Sequence, residues 1–171
     1  MKENKSVIIW LISGCLLIFA MVIVGGITRL TGSGLSMVDW NFFMGAIPPL
    51  NNQQWLEAFE LYKQFPEFQK QNYMFSLAEF KNIFFWEYIH RLLGRLIGLV
   101  FIIPFLYFLI KRKLSKKLFF QCTILLFMGA SQGVIGWWMV KSGLINNPNI
   151  SHFRLAIHLI TAFLTFSYTF W

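Results

Sequence analysis

The feature that most constrains this chain is a set of four long apolar segments joined by polar connections. They run from about 7 to 27, 86 to 110, 118 to 140 and 153 to 171. Each is close to the ~20 residues that an α-helix needs to cross about 30 Å of hydrocarbon. Hydrophobic residues make up 57% of the chain and charged residues only 13%, against roughly 25% charged in soluble domains. The sequence therefore predicts an all-α membrane protein, a four-helix transmembrane bundle forming one domain over residues 1–171.

Basic residues predict how this bundle is oriented. Two precede the first segment and five crowd the short turn between the second and third (Lys2, Lys5; Lys111, Arg112, Lys113, Lys116, Lys117). Because cytoplasmic loops are enriched in Lys and Arg, the N-terminus and this turn are predicted to be cytoplasmic, in a bacterial inner membrane. The net charge of +8 is then a topology signal and does not indicate nucleic-acid binding. The long connection, about 29 to 85, lies outside.

The first apolar segment is predicted to remain as a span. Lysines precede it, as in a signal peptide, but its apolar run is longer than a signal core. Gly25-Gly26 then leads into Thr28-Arg29 without a clear cleavage site. An uncleaved span is therefore favoured.

Two helices are predicted around the long connection. Asn51 and Asn52 are suited to cap a short helix with an aromatic face, which we expect to lie on the membrane surface (Trp55, Phe59, Tyr62). Ser76-Leu77-Ala78-Glu79 matches a capping box. If it begins the second long helix, that helix has ~34 residues and is ~50 Å long, so it projects from the membrane.

Four ionisable residues occupy the start of the second span, in FFWEYIHRLLGRLIGLVF: Glu87, His90, Arg91 and Arg95. At helical spacing, the first three share a face with Gly94. A single such residue is readily explained as helix-end packing or snorkelling. A cluster of ionisable groups inside a span indicates a functional site.

The fourth span supplies a second histidine. In SHFRLAIHL, Arg154 and His158 are four residues apart, and His158 lies ~8 Å below the predicted outer boundary, against ~6 Å for His90. Two histidines at one depth on different helices suit a haem iron, with arginines available for the propionates. Zinc is a weaker alternative, because no cysteine or carboxylate set completes a tetrahedral site. His152, at the loop edge, is interpreted as incidental, and Cys15 and Cys122 as packing residues.

The remaining polar and small residues are candidates for site support. Gly129, Gly133 and Gly136 line one side of the third span, either as a helix-packing groove or as space for a porphyrin. Gln132 lies well inside the bilayer and needs a hydrogen-bond partner, and Arg29 ends the first span. Glu87 could orient a histidine, pair with Arg91, move protons or stabilise a cation, which makes it the candidate catalytic residue.

Taken together, GGITRLTGSGLSMVDW, EYIHRLLGRLIGL, GASQGVIGWWMVKSGL and FRLAIHL resemble the haem A synthase family of proteobacteria and mitochondria. The resemblance implies oxidation of a methyl group of haem O to the formyl group of haem A, for terminal oxidase biogenesis. It implies eight spans in two similar halves, with haem O in the N-terminal half and haem b in the other. His90 and His158 match the family's iron ligands in the first half, and Glu87 matches its glutamate. The long connection lacks the cysteine pair of one type within the family.

The resemblance covers only the N-terminal half of such proteins, so the chain is expected to be a fragment, with a half-sized protein acting as a homo-oligomer as the alternative. The expected partners are haem O, haem A, membrane lipid, haem O synthase and oxidase assembly factors. Two other functions stay open: a non-catalytic cytochrome b-like electron carrier using the same histidines, and an oxidase-assembly protein whose histidines only pack.

Overall fold

A computed structural model describes residues 5–38, 44–145 and 148–171 of the chain. Lys2, Asp39 and Trp40, which the sequence motifs include, lie outside these ranges. Within them the chain is helical and contains no strand. The helices are α1 (Lys5–Leu30), α2 (Asn52–Lys63), α3 (Pro66–Lys70), α4 (Leu77–Ile110), α5 (Lys116–Leu144) and α6 (His152–Phe170), with a short 3-10 helix at Met44–Ala46.

Four of these helices, α1, α4, α5 and α6, are long and apolar enough to cross a membrane, by length and composition. Each overlaps one of the predicted apolar segments. Few of their residues are buried inside the protein, which is expected where lipid covers the outer surface of a bundle. The predicted all-α membrane bundle is confirmed.

The four long helices form an antiparallel ring in the order α4, α1, α6, α5. Specific contacts hold the pairs together. Trp10 of α1 donates its indole N–H to the carbonyl of Val100 in α4 at 2.8 Å, and Gln132 of α5 donates to Thr161 of α6 at 2.7 Å. In this ring α4 and α6 lie diagonally opposite each other, as do α1 and α5.

One end of the bundle is closed by an apolar cluster beside the turn at residues 111–115, and we call it the turn end. Its buried members come from three helices: Val7, Trp10, Phe105, Phe108 and Cys122. Cys122 is fully buried there and Cys15 is buried in α1; both are free thiols, as predicted from their apolar surroundings.

The opposite end carries a folded cap, which consists of α2, α3 and the first three turns of α4 (77–88). Asn51 caps α2 by accepting from the amide of Gln54 at 2.9 Å. The aromatic face of α2, which the sequence predicts to lie on the membrane surface, is covered by protein. It packs against α4 instead, in a buried cluster with Phe80, Ile83 and Phe84. An apolar face on a helix indicates that the face is covered but not what covers it, and here α4 covers it.

Helix α4 begins as the sequence predicts. The Ser76 hydroxyl accepts from the amide of Glu79, and the Glu79 carboxylate accepts from the amide of Ser76 at 2.7 Å, which is a complete capping box. The helix has 34 residues and is about 50 Å long at 1.5 Å per residue. The cap and the ionisable cluster therefore share one continuous helix.

Candidate functional site

His90 lies on α4 and His158 on α6, the two helices that face each other diagonally across the ring. Both histidines are largely withdrawn from solvent, whereas His152 is exposed at the start of α6. Two of the three histidines are thus shielded from solvent, and they are the two that the sequence predicts as iron ligands.

Each of the two imidazoles rests against a glycine of a neighbouring helix. A β-carbon on Gly25 of α1 would lie 3.1 Å from His90 Nε2, and one on Gly136 of α5 would lie 3.4 Å from His158 Cε1. A larger residue at either position would meet the ring, so the two glycines leave the space that each imidazole occupies.

Gly129 and Gly133, the other members of the α5 stripe, have a different environment. Both are exposed, and within the described part of the chain a β-carbon on either would meet no neighbouring side chain or helix within 4 Å. Of the two interpretations of this stripe, open space fits these two glycines better than a tight helix-packing groove.

The residues present fit a haem better than a bare metal ion. Among the described residues, no group of three or more His, Cys, Asp or Glu side chains could hold a metal. A haem iron needs only two protein ligands, because the porphyrin supplies four nitrogens. In addition, His158 Nδ1 is buried and has no hydrogen-bond partner in the described structure, and a buried unpaired polar atom is costly.

Glu87 is buried at the cap end of the site, and both of its carboxylate oxygens are bound. Oε1 accepts from Arg91 Nη2 at 2.6 Å. Oε2 accepts from the Ser36 hydroxyl at 2.7 Å and from the Met37 amide at 2.8 Å. Of the four roles that the sequence leaves open for Glu87, the structure shows the pairing with Arg91.

Ser36 and Met37 belong to this site, although the sequence does not single them out. They belong to a quoted motif, but a serine in a Gly- and Ser-rich stretch is expected in any turn. Met37 contributes backbone groups, so its side-chain type carries no signal: its carbonyl also accepts from Arg91 Nη2 at 2.8 Å. The partners are about 50 positions apart in sequence, and no local pattern encodes that contact.

The other predicted support residues differ in what they contact. Arg154 donates to the carbonyl of Trp138 at 2.7 Å and stacks on its ring at 4.3 Å. Gln132 has the partner that its position requires, Thr161. Arg29 is exposed on the last turn of α1.

Arg95 is the arginine best suited to bind an added anion. Its Nη1 is buried and has no partner in the described structure, while its Nη2 lies 3.1 Å from where a β-carbon on Gly45 would be. A buried guanidinium nitrogen without an acceptor has hydrogen-bonding capacity to spare. Arg91, in contrast, already binds a carboxylate and a carbonyl.

Comparison with known proteins gives a consistent result over nearly the whole chain. The family model described as cytochrome oxidase assembly protein, COX15-CtaA, matches residues 8–171. A protein named "Heme A synthase" from Flavobacterium psychrophilum is 62% identical, over 100% of this chain and 51% of its own length. Relatives of the same name from Flavobacterium johnsoniae and Nitrosospira multiformis are 59% and 53% identical, over 99% and 98% of this chain and 50% and 47% of theirs. The chain spans about half the length of these relatives, and no solved structure matches it.

Proposed function

The chain belongs to the cytochrome oxidase assembly family of COX15-CtaA proteins, and from that premise we propose that it is the haem O-binding half of a haem A synthase. Such an enzyme oxidises a methyl group of haem O to the formyl group of haem A. The observation that carries the proposal is the histidine pair on diagonal helices, each ring seated against a glycine. In this proposal haem b is bound by the other half of the synthase.

His90 and His158 hold the iron of the substrate haem in this proposal. Bound haem supplies an iron with two axial positions and a ring that carries the methyl group to be oxidised. The buried, unpaired Nη1 of Arg95 supports a role in binding a propionate, for which a guanidinium is well suited. Arg91 acts indirectly, because it is occupied in holding Glu87.

Glu87 places a hydrogen-bonded carboxylate at the cap end of the proposed haem site. The Arg91 guanidinium and the Met37 amide can only donate to it, and the Ser36 hydroxyl donates to the same Oε2 as Met37. This arrangement suits stabilisation of positive charge that develops on the substrate during oxidation. It suits a proton relay less well, because a relay group has to exchange its hydrogen-bond partners as it gains and loses the proton.

The setting of the enzyme follows from the same assignment. The chain lies in the bacterial inner membrane with its N-terminus and the 111–115 turn in the cytoplasm, which places the cap outside. Haem O synthase and oxidase assembly factors are its partners, since one supplies the substrate and the others use the product.

Haem extraction and chromatography test the proposal on the purified chain from cells that make haem O. We expect bound haem O or haem A, and at least tenfold less haem after His90→Ala or His158→Ala. His152→Ala is the matched control, because His152 is exposed on the same helix as His158. Haem content that is equal in all three variants would contradict the site.

A cytochrome b-like electron carrier is the second candidate, and one observation favours it. Glu87 has a structural task, binding Ser36 and Met37, that needs no catalysis. In cells carrying the complete protein, Glu87→Gln separates the two functions. If the variant keeps its haem but no longer forms haem A, the result supports the synthase. If haem A forms at an unchanged rate, the result supports the electron carrier. Glu57→Gln, on the exposed side of α2, is the control.

A further inference from the structure

The segment Ser33–Met37, which we call the bridging segment, is buried although it is not helical. Ser33, Leu35, Ser36 and Met37 are all buried. The chain enters it through Gly32, whose φ of +63° is a conformation that glycine adopts without strain. The Ser33 amide then donates to the carbonyl of Thr28 at 2.9 Å. A connection buried to this extent usually has a task beyond joining two helices.

On one side, the bridging segment binds the ionisable cluster of α4. Ser36 and Met37 donate to Glu87 Oε2 at 2.7 and 2.8 Å. Arg91 Nη2 contacts both Glu87 Oε1 and the Met37 carbonyl. The four groups close a hydrogen-bonded ring in which the carboxylate cannot move without displacing the segment.

On the other side, the same segment packs against α5 and the start of α6. Leu35 lies in a buried apolar cluster with Met139 and Ile150. A β-carbon on Gly143 would lie 2.8 Å from both Cδ1 and Cδ2 of Leu35, and one on Gly34 would lie 3.1 Å from Ile150 Cδ1. The side chain of Leu35 therefore reaches to the α5 backbone at a place where only glycine leaves room.

We propose that Ser36 is a positioning residue for Glu87, and that the contact of Leu35 with Gly143 sets where the bridging segment holds that carboxylate relative to α5 and α6. The segment thus ties the position of Glu87 on α4 to the helix pair that carries His158. This inference rests on the proposed function only where it concerns the effect of Glu87 on bound haem. The mechanical coupling between Gly143 and Glu87 stands on the contacts alone.

Amide hydrogen exchange of the purified chain tests the coupling without haem. In Gly143→Ala the new β-carbon displaces Leu35, so we expect the Met37 amide to exchange about five- to tenfold faster, as when one hydrogen bond weakens. Gly133→Ala on the same helix meets open space and should change the rate less than twofold. Leu35→Val combined with Gly143→Ala removes the clashing methyl groups and should restore the slow exchange.

The outcomes of this experiment are decisive in both directions. Faster exchange in Gly143→Ala, restored by the added Leu35→Val change, supports the coupling and shows that the bundle still folds. Exchange that matches Gly133→Ala, or that the second change does not restore, overturns it.

The midpoint potential of bound haem tests the effect on Glu87. A carboxylate near iron favours the ferric state, so Glu87→Gln should raise the potential. Ser36→Ala and Gly143→Ala should raise it by a smaller amount, with full haem content, and Gly133→Ala should leave it unchanged. If the midpoint potential shifts in Glu87→Gln but in neither Ser36→Ala nor Gly143→Ala, the positioning role of Ser36 is overturned. No haem in any variant, or no shift in Glu87→Gln, contradicts the proposed function instead, and the exchange rates still decide the coupling.

Discussion

The residues that define the candidate site differ in how well the sequence predicts them. His90 and His158 are predictable as a pair, because span boundaries and 1.5 Å per residue place both at one depth. For Arg91 the sequence leaves two partners open, a haem propionate or Glu87, and its guanidinium binds Glu87 and the Met37 carbonyl. Opposite charges four residues apart on a helix pair readily, and that local contact takes precedence over an expected ligand.

At the same scale, Gly25 allows a specific prediction. Gly25→Ala adds a β-carbon 3.1 Å from His90 Nε2, so the imidazole must shift. Overpacking of this kind costs about 1–3 kcal/mol, and we expect haem affinity to fall about tenfold or more. Gly26→Ala is the matched control, since its β-carbon meets nothing within 4 Å. Haem titration of both variants measures the difference, and equal affinities would show that His90 does not need the space beside Gly25.

Among the helices, sequence predicts beginnings better than partners. The capping box places the first residue of α4 because it is a local pattern of hydrogen bonds. The aromatic face of α2 was predicted to lie on the membrane, and it packs on α4. Hydrophobic periodicity identifies which face is covered, but lipid and protein cover an aromatic face equally well. The capping box does predict that α4 extends beyond the membrane. That extra length is the one sequence feature that suggests a protein partner for the aromatic face of α2.

The cap contains a buried acid that makes its stability depend on pH. Glu67 of α3 is 4% exposed and accepts from the hydroxyl of the fully buried Tyr62 at 2.9 Å. Desolvation, and to a lesser degree the charge of Glu87, raises its pKa from 4.5 to about 7, although the Tyr62 hydrogen bond opposes the shift. The folded cap therefore holds a proton that the unfolded chain releases at lower pH.

From this we predict that the cap is most stable below about pH 4.5 and loses stability as the pH rises through 7. The loss is of the order of 3 kcal/mol between those limits. Glu67→Gln keeps an acceptor for Tyr62 but cannot ionise, so its stability should be nearly independent of pH over this range. Hydrogen exchange of residues 59–84 at pH 5 and pH 8, corrected for the intrinsic rate, measures the difference.

Glu60→Gln serves as the control for that comparison, because Glu60 is exposed and paired with Lys63 at the surface. It should keep the pH dependence of the parent chain. A slope that survives in Glu67→Gln would mean that another group titrates, and the assignment to Glu67 would be wrong.

Across the whole molecule, the four long helices and the all-α class follow from the four apolar segments, since a span in lipid must satisfy its backbone internally. The ring order and the bridging segment do not follow. Ser36 and Glu87 are joined over 51 positions, and Leu35 meets Gly143 over a greater separation. Such contacts depend on how the helices pack, and single-sequence periodicity reports only the faces that pack.

Membrane orientation belongs to the molecule as a whole, and cysteine labelling can measure it against a clean background. Cys15 and Cys122 are buried and lie in apolar surroundings, so a polar maleimide should leave them unmodified. Gln53→Cys introduces an exposed thiol in the cap, and Lys117→Cys introduces one beside the basic turn.

Because basic residues favour the cytoplasmic side, a membrane-impermeant maleimide should label Gln53→Cys in intact cells. Lys117→Cys should react only after the membrane is opened. The reverse labelling pattern would place the cap in the cytoplasm. The end of the proposed haem site that binds the propionates would then lie on the cytoplasmic side, contrary to the orientation that the basic residues predict.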